Sequence, residues 1–390
     1  MIDYSKVLSP TVCSIAPSGI RKFFDLLDGR DDVIGLTVSQ PDFVTPWHIR
    51  EAGIASLERG KTYYTSNSGT IQLREAISNY LVRRFDMPRY DPKSEIVVTV
   101  GGSEAIDIAM RSLLVPGDEV IIPNPAFVCY EPLVKMTGAV PVIVDTKLED
   151  RFKLTPEALR AAITPRTKLV VLPFPNNPTG AIMTRDELEG IAEVLRDTDI
   201  VVLSDEIYAE LTFGRRHVSI ASLDGMRERT VVVSGFSKAY AMTGWRLGYL
   251  CAPEPLTTQM LKLHQYAIMC APTTAQFAAT EAMNNGDADV IEMAEEYDRR
   301  RKYIYEGLNA IGIDTFEPEG AFYIWPNIGK FGMSSEEFCQ RLLEEQNCAI
   351  VPGTAFGPCG EGFARISYAY SVRHITAALE RIEAFVKNLK

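Results

Sequence analysis

Histidine is scarce in this chain, four in 390 residues, and none of its seven cysteines forms a C-x-x-C pair. A structural zinc site needs such closely spaced ligands, so no metal is expected. An odd number of cysteines cannot pair completely, which points to reduced, mostly buried thiols and a cytoplasmic protein. A run of roughly eighteen apolar residues is also missing, and with it a membrane span. The stretch Met1–Pro17 is interrupted by Asp3 and Lys6, so it lacks the apolar centre of a signal peptide. There is no basic excess: 40 Lys and Arg stand against 51 Asp and Glu, a net charge of −11. Nucleic acid is therefore not an expected partner. No G-x-G-x-x-G follows an early strand, which argues against a nicotinamide dehydrogenase.

What is present is the composition of a large globular protein, 46% hydrophobic and 23% charged. Short β-rich runs occur at Ile96–Val100, Glu119–Pro123, Val140–Val144, Lys168–Phe174, Ile200–Ser204, Val231–Gly235 and Leu247–Cys251. Several are nearly continuous in Val, Ile and Leu, as in strands covered on both faces. Amphipathic stretches lie between them, including Ser103–Leu114 and a helix opened by a capping box of Thr184 and Glu187. This alternation predicts an α/β fold, a mostly parallel central sheet flanked by helices. The last hundred residues read as a smaller α+β unit. It has a long helix from about Asp287 to Ala310 stopped at Gly312 and helices at Ser335–Gln346 and Val372–Leu389. Its strand pieces are Ala321–Trp325, Ala349–Pro352 and Phe363–Tyr368.

The strongest local signal is Ser234-Gly-Phe-Ser-Lys238 with Ala239-Tyr-Ala-Met-Thr-Gly-Trp-Arg246-Leu-Gly-Tyr249 following. A lysine that attacks a carbonyl needs a fixed position and a lowered pKa, which burial and a nearby cation supply. Arg246, between Trp245 and Leu247, offers a planar fork for a phosphate in a setting expected to be apolar. Taken alone, the pair reads equally well as a lysine and an arginine in a surface turn. Asn177, in Phe174-Pro-Asn-Asn-Pro-Thr-Gly180, follows one strand, and Asp205 and Tyr208, in Ser204-Asp-Glu-Ile-Tyr208, follow the next. With Lys238 they fall at the C-terminal edge of a parallel sheet, where ligands bind.

These three motifs, in this order through nearly the whole chain, resemble the class I aminotransferases of pyridoxal 5′-phosphate (PLP) fold type I. The resemblance implies PLP as cofactor, Lys238 as its Schiff-base lysine and Asp205 as the partner of the pyridine nitrogen. Asn177 and Tyr208 would hydrogen-bond the phenolic oxygen. Gly101, Gly102 and Ser103, ahead of an amphipathic helix, would receive the phosphate, with Arg246 and Ser237 as further donors. Gly235 departs from relatives that carry a serine there. Phe127 corresponds to an aromatic that stacks on the cofactor ring. Tyr64, with Tyr63 adjacent as an alternative, corresponds to a tyrosine that reaches the neighbouring subunit's phosphate, which implies a homodimer with shared active sites. Arg365 would grip the substrate α-carboxylate together with Asn177, and the backbone near Ser39, in Ser39-Gln-Pro-Asp-Phe43, would assist. Asn124–Pro125 and Asn177–Pro178 become candidates for cis peptides. The implied organisation is an N-terminal arm with part of the small domain (1–46), a large PLP-binding domain (47–284) and a small C-terminal domain (285–390).

The expected reaction is ping-pong transfer of an amino group from an L-amino acid to a 2-oxo acid such as 2-oxoglutarate. A C–S β-lyase of the same fold is the alternative, and a transcription regulator would need a DNA-binding module for which the stretch before Ser39 is too short. The substrate is left open between aromatic, aspartate and alanine partners. Ile15, Ile20 and Phe24 suggest an apolar lid but suit core packing equally.

Overall fold

The computed structural model describes residues 2–17, 19 and 32–389 of the chain. Ile20 and Phe24 lie outside them; Ile15 is half-buried. After a short strand β1 (Ile34–Gly35), seven strands build the central sheet: β2 (Ile96–Thr99), β3 (Glu119–Asn124), β4 (Val140–Asp145), β5 (Thr167–Leu172), β6 (Val201–Asp205), β7 (Thr230–Gly235) and β8 (Gly248–Cys251). Their order across the sheet is β2-β8-β7-β6-β5-β3-β4. Pairings from β7 through β4 are parallel, and β8 runs antiparallel to both its neighbours. All seven runs expected from the sequence thus form strands, in the mostly parallel sheet expected.

Side-chain alternation explains why these runs are so uniformly apolar. Val120, Ile122, Leu169, Val171, Leu203, Val231 and Val233 pack on one face with Ala105, Ile106 and Ala109 of the helix Gly101–Leu113. Ile121, Val170, Leu172 and Val202 point the other way, toward Leu188, Ile191 and Leu195 of the helix Arg185–Leu195. Helices cover both faces of the inner strands, which therefore need apolar residues at successive positions, whereas β4 at the edge is partly exposed. The capping box at Thr184 and Glu187 is formed.

The C-terminal part holds β9 (Thr315–Phe316), β10 (Tyr323–Pro326), β11 (Cys348–Ala349), β12 (Val351–Pro352) and β13 (Ala364–Ser367). Four of them form an antiparallel sheet in the order β12-β13-β10-β9. The expected single strand Ala349–Pro352 is divided: β11 pairs in parallel with β1, while β12 turns to β13. The long helix runs Asp287–Ile311 and ends at Gly312, whose φ of 91° suits glycine. The two candidates, Asn124–Pro125 and Asn177–Pro178, are cis, and so is Phe174–Pro175. Among the described residues, no helix is long and apolar enough to cross a membrane.

Candidate active site

Strand ends meet around one cavity of about 320 Å³. β6 ends on Asp205, β7 leads into Ser237 and Lys238, and the turn after β5 carries Asn177. β2 gives way at once to the helix beginning at Gly101, and Arg246 stands just before β8. Ser39, Gly102, Ser103, Phe127, Asn177, Asp205, Tyr208, Ser237, Lys238 and Arg246 all line the space. The same edge of one sheet thus collects residues scattered from 39 to 246.

Lys238 brings an amine into this cavity. Burial, aided by the positive charges of Arg365 and Arg246, lowers its ammonium pKa to about 7, with Asp205 pulling the other way. Its Nζ donates to the carbonyl of Ser39. Asp205 is buried, and burial raises its carboxyl above the usual range, opposed by the hydroxyl of Tyr130 and the N–H of Ile207. Tyr130 Oη donates to Asp205 Oδ2 at 2.7 Å. Tyr208 does not stand free: its hydroxyl shares a 2.7 Å hydrogen bond with Tyr323, and burial pushes its pKa up.

At the opposite end, Gly101 takes a φ of 77°, and a Cβ there would lie 2.7 Å from Arg246 Nη2. The guanidinium therefore lies directly over a turn that only glycine leaves open. Gly248 is equally constrained, since its Cβ would fall 2.5 Å from the Gly101 carbonyl carbon. Contrary to the apolar setting expected, Arg246 is exposed while Leu247 is buried and Trp245 partly so. Arg246 lines the cavity while remaining exposed to solvent. At Gly235, a Cβ would approach Gly248 Cα to 3.0 Å and Ile207 Cδ1 to 3.2 Å, so β7 and β8 leave little room for the serine of relatives.

Arg365, Gly101 and Tyr64 are not among the cavity's lining residues. Arg365 is fully buried on β13, behind Asn177: Nη1 donates to Asn177 Oδ1 at 3.0 Å and Nη2 to the Thr37 carbonyl at 2.7 Å. Its Nε has no hydrogen-bond partner among the described residues. The rings of Tyr323 and Phe356 lie 4.7 and 4.9 Å from the guanidinium carbon. Tyr64 is 79% exposed and Tyr63 59%, both away from this chain's own cavity.

Tyr130 and Tyr323 are functional candidates that motif reading did not single out. Tyr130 opens a helix (Tyr130–Met136) three residues after Phe127, a spacing that could have suggested a shared face. Tyr323 carries no such signal, because its partner Tyr208 is 115 residues away.

The donor set fits PLP. An amine at Lys238 would meet the aldehyde, and the carboxyl of Asp205 would meet the pyridine nitrogen. Phe127 and Ile207 would wall the ring, and Arg246, Ser103, Ser237 and the helix N-terminus would hold the phosphate. The family model "Aminotransferase class I and II" matches residues 31–382. The putative aminotransferase YugH of Bacillus subtilis is 53% identical over 97% of this chain and 98% of its own length. A probable N-acetyl-LL-diaminopimelate aminotransferase of the same organism is 46% identical over 97% and 96%. The structure of the aspartate aminotransferase from Thermus thermophilus with maleate matches at a TM-score of 0.92, with 38% identity over 97% of this chain and 99% of that one. The chain thus belongs to the class I and II aminotransferases, PLP-dependent enzymes of fold type I.

Proposed function

We propose that this aminotransferase passes the amino group of an L-amino acid to 2-oxoglutarate, with PLP carried on Lys238. The observation that supports this reading is Lys238 itself, an amine whose pKa burial lowers to about 7 inside the same cavity as Asp205 and Arg246. When bound, PLP supplies an electron sink for the negative charge that develops at the substrate Cα. Lys238 Nζ, with its pKa lowered to about 7, can accept the Cα proton and deliver it to the cofactor's C4′. Asp205, oriented by Tyr130, holds the proton of the pyridine nitrogen. Arg365 would exchange its bonds to Asn177 and Thr37 for the substrate α-carboxylate, with Ser39 beside it. One site serves both substrates in turn, so the first 2-oxo acid leaves before the second enters.

The remaining assignments are of the same standing. Residues 47–284 would hold the cofactor and 285–390 would contribute Arg365, with 1–46 as an arm joined to the latter. Tyr64, exposed on the single chain, would complete the site of a second copy. The seven cysteines are all free, which suits a cytoplasmic enzyme. For the amino donor, aspartate and aromatic amino acids are the first to try.

The test follows the cofactor's visible absorbance as single L-amino acids are added without an acceptor. Bleaching that 2-oxoglutarate reverses supports the reading and ranks the donors. A stable band with pyruvate and ammonia accumulating from a cysteine conjugate would make the enzyme a β-lyase. Lys238→Ala should lose at least about a thousandfold in turnover, the scale of a proton-transfer group in place.

A further inference from the structure

Arg246 closes a turn, Ala241–Arg246, whose first and last residues both have a φ of 52°. Residues other than glycine hold such angles only where their surroundings fix them. Two contacts do so here. Thr45, 7% exposed, donates its hydroxyl to the Ala241 carbonyl at 2.7 Å. The same oxygen accepts from Trp245 Nε1 at 3.1 Å. One hydroxyl therefore binds the start of the turn and the residue next to Arg246. The far edge of the indole lies against the helix Trp47–Glu58 at Gly53, where a Cβ would be 2.9 Å from both Cη2 and Cζ3. Only a residue without a side chain leaves the ring this place.

We infer that Thr45, Gly53 and Trp245 form a slot that positions Arg246 for the cofactor's phosphate. This rests on the assignment of Arg246 to that phosphate. None of the three lines the cavity, so they act through Arg246 as positioning residues. Loss of the Thr45 hydroxyl leaves the Ala241 carbonyl and the Trp245 N–H without their partner, and the turn is free to leave its left-handed ends. Lys238 and Asp205 follow or end other strands, so the defect falls on the phosphate and spares the aldehyde and ring nitrogen.

The test titrates the full-length chain, stripped of cofactor, with PLP and separately with pyridoxal, which has the same ring and aldehyde but no phosphate. Thr45→Val should weaken PLP about tenfold, the scale of one buried hydrogen bond, and change pyridoxal by less than about twofold. Thr45→Ser keeps the hydroxyl and should restore PLP binding. Trp245→Phe removes the N–H together with the indole edge that rests on Gly53, and should show the same selective loss. Equal losses for both ligands would mean that the slot merely supports the fold, and no loss for either would mean that it does not act on Arg246; each overturns the inference. Should Thr45→Val not fold, Trp245→Phe carries the same comparison with the same overturning results. Arg246→Met is the control: if it leaves the preference for PLP over pyridoxal intact, the assignment of Arg246 itself falls.

Discussion

The two ends of the cavity are assembled differently. At the end proposed for the phosphate, the turn after β2 and the approach to β8 are brought together by pairing of those two strands. At the end proposed for the substrate, and behind it at Arg365, each bond joins distant segments: Lys238 to Ser39 across 199 residues, Arg365 to Asn177 across 188 and Arg365 to Thr37 across 328. Strand pairing brings the phosphate end together, and one further contact, Thr45 with the Ala241–Arg246 turn, trims it. The substrate end requires the N-terminal segment, the C-terminal sheet and the central sheet to meet, so its geometry depends on their packing.

If the ends are separable, mutations should sort between them. Arg365→Met should raise KM for the amino acid about a hundredfold, as expected for lost charge-assisted bonds, while PLP affinity stays unchanged. A parallel fall in PLP affinity would break the distinction. The next largest effect is on pH. Because the folded pKa of Lys238 lies below that of a free lysine, its neutral amine prevails above about pH 7. PLP uptake by the cofactor-free chain should rise about tenfold between pH 6 and 8 and then level off. Uptake still climbing at pH 9 would show an ordinary lysine. Tyr130→Phe sharpens the contrast within the cofactor's own contacts. Removing a donor that lowers the Asp205 pKa raises it further, so the acid limb of the activity profile should move to higher pH and kcat fall about fivefold, the scale of one hydrogen bond to a charged group. Gly235→Ser should have the smallest effect on the chemistry: a loss of about 1 kcal/mol in unfolding free energy from overpacking, with no gain in PLP affinity.

The sequence made some of this legible and concealed the rest for identifiable reasons. Lys238, Asp205 and Asn177 could be placed because each follows an apolar run, and the end of a run fixes the edge of the sheet. The helix Trp47–Glu58 gave little signal, since it buries Ile49, Gly53 and Ser56 and not an apolar stripe. Small residues let a neighbour approach, but their spacing does not name that neighbour. Residues 349–352 looked like one strand because alternation records which face is buried and not which partner pairs. Tyr130, Tyr323 and Thr45 matter through partners remote in sequence, and no local pattern marks such a pairing.

The reversed direction of β8 has one more effect. Were β8 parallel to β7, its start would lie at the far edge of the sheet, and a crossover would have to intervene between Lys238 and Arg246. Running backward, it begins where β7 ends, so a single short span links the amine to the guanidinium. The stretch from Ala239 to Trp245 then acts as a ruler between Lys238 and Arg246, the two groups we propose hold the ends of the cofactor. Its composition can vary within the demands of packing, but its residue count is part of the active site.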